Sequence, residues 1–155
     1  MIISKENYGV QKRTLKGLIK IWNVRTGLLI MTLRGHSGEV MDMQIHPDNT
    51  LLASCDDQKI IRIWDLRNGA CVEVLSAHTN KVTTIEWSPA IVTSANGSTV
   101  RVLMSTGNDC MVIFWSFNET DKQFDSGQPI RFCERIVFNN RSYVTTTIVP
   151  KWVTF

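Results

Sequence analysis

The chain has 155 residues, 43% of them hydrophobic and 20% charged, with a net charge of +3. That is ordinary globular composition at about one domain's length. No apolar run reaches the roughly 18 residues of a membrane-spanning helix, and the start lacks the apolar stretch of a secretory signal, so neither a membrane nor an exported protein is expected.

Taken in chain order, residues 1–25 hold six basic groups against one acid, a local +5, while the remainder carries −2. The basic character therefore belongs to the leading segment. With almost no interleaved aromatics it reads as a solvated end, and direct nucleic-acid binding is not expected. Residues 1–16 are polar, lack alternation and are expected to be irregular. Cys55, Cys71, Cys110 and Cys133 never form C-x-x-C and read as reduced thiols, not as disulfides or a zinc site.

Beyond residue 16 the chain repeats itself. At an offset of 42, Trp22 maps to Trp64, Arg25 to Arg67, Gly27 to Gly69, His36 to His78 and Pro47 to Pro89. A third tryptophan, Trp115, lies 51 residues beyond Trp64. The nine extra residues fall after Pro89, in AIVTSANGSTV, a composition that suits a lengthened loop. Within a unit, VMDMQI, LLASC, IIRIW and ACVEVL read as short strands separated by the turn compositions HPDNT, DDQK and DLRNG. No stretch sustains helical spacing. Four strands in about 42 residues make the blade of a β-propeller. The expected architecture is all-β and a partial propeller. Residues 17–34 are the last strands of a preceding blade and 35–76 a complete blade. Residues 77–135 are a second blade with a nine-residue loop insertion, and 136–155 stay unassigned.

Units with GH near the start and WD near the end, at this period, resemble the WD-repeat family. The resemblance covers about residues 17–118 and implies a polar tetrad in each blade: a His, a Ser or Thr, a turn Asp and the Trp. Such a chain ties loop to strands and satisfies its own buried polar atoms. Carried over, the first full blade offers His36, Ser54 and Trp64. The turn Asp belongs six residues before the Trp, but Gln58 stands there, so the adjacent Asp57 is taken as a shifted member. The second blade offers His78, Ser105, Asp109 and Trp115, with Ser116 in place of the WD Asp. In the preceding blade Lys16 stands where the turn Asp belongs. More narrowly, LIKIWNVRTGLLIMTLRGHSGEVMDM, KIIRIW and STGNDCMVIFWSFN look like the bromodomain-and-WD-repeat proteins. This implies a nuclear, chromatin-linked regulator of transcription, with cell shape and cytoskeletal organisation as further roles.

Catalysis is not expected. GHSGE nearly spells a nucleophile elbow at Ser37, but Glu39 occupies the last glycine position and a strand, not a helix, should follow. Ser105, His78 and Asp109 include one residue of each triad type, yet they are the tetrad positions. No phosphate loop, metal spacing or cofactor motif is present, so no catalytic residue, metal, cofactor or small-molecule substrate is assigned. The interaction reading follows: loops on a stiff sheet scaffold grip other proteins from the propeller rims. Trp64-Asp65-Leu66-Arg67 also fits the W-D-x-R box, with which some WD-repeat proteins contact the adaptor of a cullin-RING ubiquitin ligase. A substrate receptor of such a ligase, or a cytoplasmic assembly scaffold, is thus the alternative to the nuclear role. His46 precedes a turn proline and is expected on the solvent side, Trp87 between blades. The repeat is cut at both sides, so exposed end blades should leave the chain marginal, aggregation-prone or paired with another copy.

Overall fold

A computed structural model describes residues 2–6, 17–93, 97–125, 130–133, 136–138 and 141–143. The call on Lys16 lies outside them, as does most of the unassigned stretch 136–155. The short apolar segments separated by Gly, Asn and Asp form antiparallel strands, and among the described residues there is no helix. Three sheets follow one another along the chain. The leading blade holds β1 (Ile2–Glu6), β2 (Leu18–Trp22) and β3 (Leu29–Leu33), in that order. The middle blade holds β4 (Val40–Ile45), β5 (Leu51–Asp56), β6 (Ile61–Asp65) and β7 (Cys71–Leu75). In the third blade β8 (Val82–Thr93), β9 (Thr99–Gly107) and β10 (Met111–Asn118) pair in sequence, and β11 (Gln123–Phe124) and β12 (Ile130–Cys133) share the outer edge of β10. A separate hairpin joins β13 (Ile136–Phe138) to β14 (Arg141–Tyr143), inside the stretch left unassigned from sequence.

The turns repeat as faithfully as the strands. The residue five places before the Trp is left-handed in all three blades: Gly17 at φ 80°, Lys59 at 73° and Cys110 at 66°. Gly17 must be glycine for a second reason. A Cβ there would come within 2.6 Å of both the carbonyl oxygen and the Cβ of His36, in the next blade.

Alternation along each strand builds two seams. Ile19, Ile21 and Leu33 of the leading blade pack on Val40, Leu52 and Trp64 of the middle one. On its opposite face the middle blade presents Leu51, Ala53, Cys55, Ile61, Ile63 and Leu75 to Val82, Ile85, Trp87, Leu103, Ile113, Trp115 and Phe117 of the third. All of β5 is therefore buried, successive side chains going to opposite seams. Each fully buried Leu or Ile contributes roughly 1.5–3 kcal/mol.

Two expectations need correction. Residues 1–16 are not irregular throughout, because Ile2–Glu6 form a strand on β2. Ile2 lies opposite Trp22 as Leu52 lies opposite Trp64, and Ser4 opposite Lys20 as Ser54 opposite Arg62, so β1 is the second strand of the leading blade. Five residues far from their partner strand carry little local signal; the pairing edge of β2 selects them. The insertion, too, is not simply a loop. β8 runs on past Pro89, and Ile91–Thr93 pair with Thr99–Arg101, so the extra residues lengthen a hairpin. Pro89 sits in a register shift between Trp87 and Ile91, where a residue without N–H is tolerated. The Arg101 guanidinium fills this irregularity, donating to the carbonyls of Ser88 (2.7 Å) and Pro89 (3.0 Å).

Candidate functional site

Each of the two full blades contains a continuous polar chain. In the third, Trp115 Nε1–H donates to Ser105 Oγ (2.9 Å), Ser105 lies 2.8 Å from His78 Nε2, and His78 Nδ1 lies 2.9 Å from Asp109 Oδ2. A neutral imidazole protonated on Nδ1 satisfies every link: Ser105 O–H donates to Nε2 and Nδ1–H donates to Asp109. Burial pushes the His78 pKa down, against the upward pull of Asp109, which favours that neutral form. Burial alone would raise Asp109, but the Thr79 amide, His78 and the Met111 amide together hold it below the usual carboxylate range.

In the middle blade the structure brings His36, Ser54 and Trp64 together, but not Asp57. Trp64 Nε1–H donates to Ser54 Oγ (2.8 Å), which lies 2.6 Å from His36 Nε2, and the partner of His36 Nδ1 is Asp56 Oδ2, at 2.7 Å. Asp57 instead accepts the Glu39 amide at 2.9 Å. The reason lies in the turn. Asp56 ends β5 pointing at His36, and its second oxygen caps the turn through the Gln58 and Ile60 amides, both at 3.0 Å. The third blade has Gly107 at the register of Asp56, and there a Cβ would stand 2.7 Å from both Asp109 Oδ1 and His78 Nδ1. The two blades therefore solve one problem by exchange: Asp then Gln at 56 and 58, Gly then Asp at 107 and 109. Comparing DDQK with GNDC would have exposed the exchange.

Asp109, His78 and Ser105 have the connectivity of a hydrolytic triad. Yet Ser105 is 0% exposed and its oxygen already receives the Trp115 indole, so no substrate carbonyl can approach it. Ser37 is exposed, but the segment after it is strand β4, which removes the helix an elbow requires.

A second polar cluster, not anticipated from sequence, ties the middle blade to the third. His46 is not on the solvent side; it is 1% exposed and lies edge-on to Trp87, with ring centroids 4.7 Å apart. Its Nδ1 lies 2.7 Å from Asp48, and its Nε2 stands 3.2 Å from Glu119 Oε1 without making a hydrogen bond. Lys122 Nζ donates to Asp48 (2.7 Å) and Glu119 (2.8 Å), and Arg101 pairs with Glu119. Burial raises Glu119, but Lys122, Arg101 and His46 outweigh it and leave the carboxyl below its usual range. His46, Asp48 and Glu119 bring potential ligand atoms within 4.8 Å of one another. The cation among them is the Lys122 ammonium, which contacts both carboxylates. The sequence signal was His46-Pro47-Asp48, a turn whose partner lies 71 residues on, beyond any local pattern.

Comparison with known proteins agrees with this geometry. The family model "WD domain, G-beta repeat" matches residues 27–65 and 69–116, more than half of the chain. The chain belongs to the WD-repeat family. A bromodomain and WD repeat-containing protein of Dictyostelium discoideum is 44% identical over 43 residues, which are 28% of this chain and 2% of that protein.

As in a WD repeat, strand β6 of the middle blade ends in the dipeptide that names the family, Trp64-Asp65, and Asp65 organises the turn that follows. Its Oδ1 accepts the Arg67 amide at 2.9 Å, and its carboxylate takes a forked contact from the Arg67 guanidinium, closest at 2.7 Å. That contact lowers the Asp65 pKa and raises that of Arg67. The Arg67 side chain remains 80% exposed on the rim. The third WD repeat has no Asp after its Trp because β10 runs two residues further. Asn118 does the same work there, accepting the Thr120 amide at 2.8 Å, and Lys122 at φ 55° takes the left-handed position held by Gly69 at 75°.

Proposed function

We propose that this chain is the non-catalytic, protein-binding part of a nuclear, chromatin-linked regulator, contacting other proteins through the rim loops of its WD repeats. The observation that carries the reading is a stiff array whose polar residues are consumed internally while its rim turns project. Among the described residues, the serine–histidine–aspartate chains of these repeats are buried, and Arg67 projects from the rim. The nuclear assignment draws its support from the name of the Dictyostelium relative, bromodomain and WD repeat-containing. The chain matches 2% of that protein's length, so the test is made on the longer product. The natural transcript containing this sequence is read to its end, and its tagged product is fractionated. A downstream acetyl-lysine-reading domain and retention on chromatin are expected; a transcript without such a domain, with a product confined to the cytosol, refutes the nuclear role.

The exposed Arg67 favours a second reading, as a substrate receptor of a cullin-RING ligase through Trp64, Asp65 and Arg67. Arg67→Ala should then abolish co-purification of the ligase adaptor, and unchanged recovery removes this reading. Self-association through open blade faces belongs to the same scaffold function.

A further inference from the structure

The two seams fill one register position in opposite ways. In the third blade Ile113 stands between Ser105 of β9 and Arg131 of β12. Ile113 is fully buried in the seam with the middle blade, and Arg131 is exposed on the outer strand. In the middle blade Arg62 stands between Ser54 of β5 and Val74 of β7. Here, toward the leading blade, the basic group is inside and the aliphatic one outside. An isoleucine seals the third blade at this position, so the fold itself does not require a cation there.

The Arg62 guanidinium is held in place but not neutralised. A Cβ at Gly35, in the connection from the leading blade, would lie 3.5 Å from its Cζ. Its Nη1–H donates to Cys71 Sγ at 3.4 Å, while its Nε is buried without an acceptor. Among the described residues no carboxylate pairs with it. Arg34, next to Gly35, is exposed and adds a second cation. The outer strand beside this fork is apolar: Val72 is 51% and Val74 48% exposed. A guanidinium presents planar donors that match a carboxylate, and a buried N–H without an acceptor is costly.

We propose that the outer seam between the leading and middle blades is a docking groove for a short acidic, aliphatic segment of a partner protein. A glutamate or aspartate carboxylate of that segment seats on Arg62, and its aliphatic side chains lie on Val72 and Val74. Charge selects this occupant, because two cations without a paired acid repel a basic segment and attract an acidic one. The proposal rests on the scaffold reading and adds to it a contact away from the rims.

The whole 155-residue chain is offered an array of acetylated, amidated octapeptides, each with a central glutamate among Val, Leu, Ile and Thr. The best binder is expected to lose about ten-fold in affinity when its glutamate becomes glutamine, the effect of one charged hydrogen-bond partner. Arg62→Ile copies the arrangement at Ile113, so it should keep the native circular dichroism while removing that preference. Val74→Glu places a carboxylate opposite Arg62 and should abolish capture without lowering the urea midpoint. Bound peptide should also slow iodoacetamide labelling of Cys71 several-fold, read by mass spectrometry. An array in which no peptide distinguishes glutamate from glutamine overturns the proposal. So does a preference that survives Arg62→Ile, capture that survives Val74→Glu, or Cys71 labelling that ignores the peptide. Inorganic phosphate that competes as well as the peptide marks a bare anion site and also overturns it. None of these readouts involves chromatin or the rims, so this groove can fail while the scaffold reading stands.

Discussion

At the scale of residues, the tetrads make distinct claims for two adjacent acids. Asp56 pairs with a buried histidine while Asp57 holds one loop amide, so the two should differ on substitution. Asp56→Ala leaves His36 Nδ1 buried without an acceptor and should cost about 1–3 kcal/mol. Asp57→Asn keeps an oxygen for the Glu39 amide and should cost less than about 0.5 kcal/mol. Urea titration of each variant, followed by tryptophan fluorescence, measures both, and equal losses would contradict the assignment. The same groups set the response to pH. His78 has a folded pKa below its ordinary 6.5, so on acidification the unfolded chain takes up the proton first. Its contribution is complete above about 6.5 and is lost as pH falls through the lower folded value. Asp56 and Asp109 are held below their ordinary 3.8, so theirs is complete above that value and is lost as pH falls further. Both act in one direction, and the urea midpoint should fall in two stages, first below neutrality and again in strong acid. A midpoint that rose on acidification from neutrality would show that His78 is bound in its charged form.

At the scale of elements, the turn ahead of each Trp strand is one design written in two residue orders. Gly107→Asp should place a carboxylate where Asp109 already meets His78, bringing two acids together at one imidazole and costing about 1–3 kcal/mol by crowding. Adding Asp109→Gln reproduces the middle-blade order and should recover most of the loss, a coupling that a double-mutant cycle measures directly. Simple addition of the two single effects would refute the exchange. The same turn explains what was legible beforehand. Trp64, His36 and Ser54 were found because the repeat fixes their spacing, and strands such as LLASC because burial on both faces leaves an unbroken apolar run. Asp56 was missed because the acid moved by two positions while its job was kept, and position is all that a spacing rule sees. Strand β1 was missed for a related reason. Ile3-Ser4-Lys5 shares only its serine with Ala53-Ser54-Cys55, and an intervening segment displaces it from the period.

At the scale of the whole molecule, the question is whether the blades melt together. Seams of apolar side chains couple them, but the seam between the middle and third blades also holds Glu119, which pairs with Arg101 of β9, with Lys122 and with His46 of the preceding blade. Arg101 is 7% exposed at its side chain and Glu119 12%, so solvent replaces little of what is lost when one partner is removed. Glu119→Ala should therefore leave the Arg101 Nε–H short of an acceptor and cost about 3 kcal/mol. Lys122→Ala, at a side chain that is 42% exposed, should cost under about 1 kcal/mol. Arg101 and Lys122 stand in the same blade as Glu119, so the loss falls mainly on the third blade and reaches the seam at His46, 3.2 Å away. Calorimetry should thus show a broader transition, or a divided one, in Glu119→Ala than in the native chain, because the third blade is weakened while the middle one is not. Hydrogen exchange locates the change: protection should fall in β8 and in the β10–β11 turn before it falls in β5 and β6. Uniform loss of protection across both blades would show instead that the apolar seam alone makes them one cooperative unit and that the ionic cluster only adds to total stability.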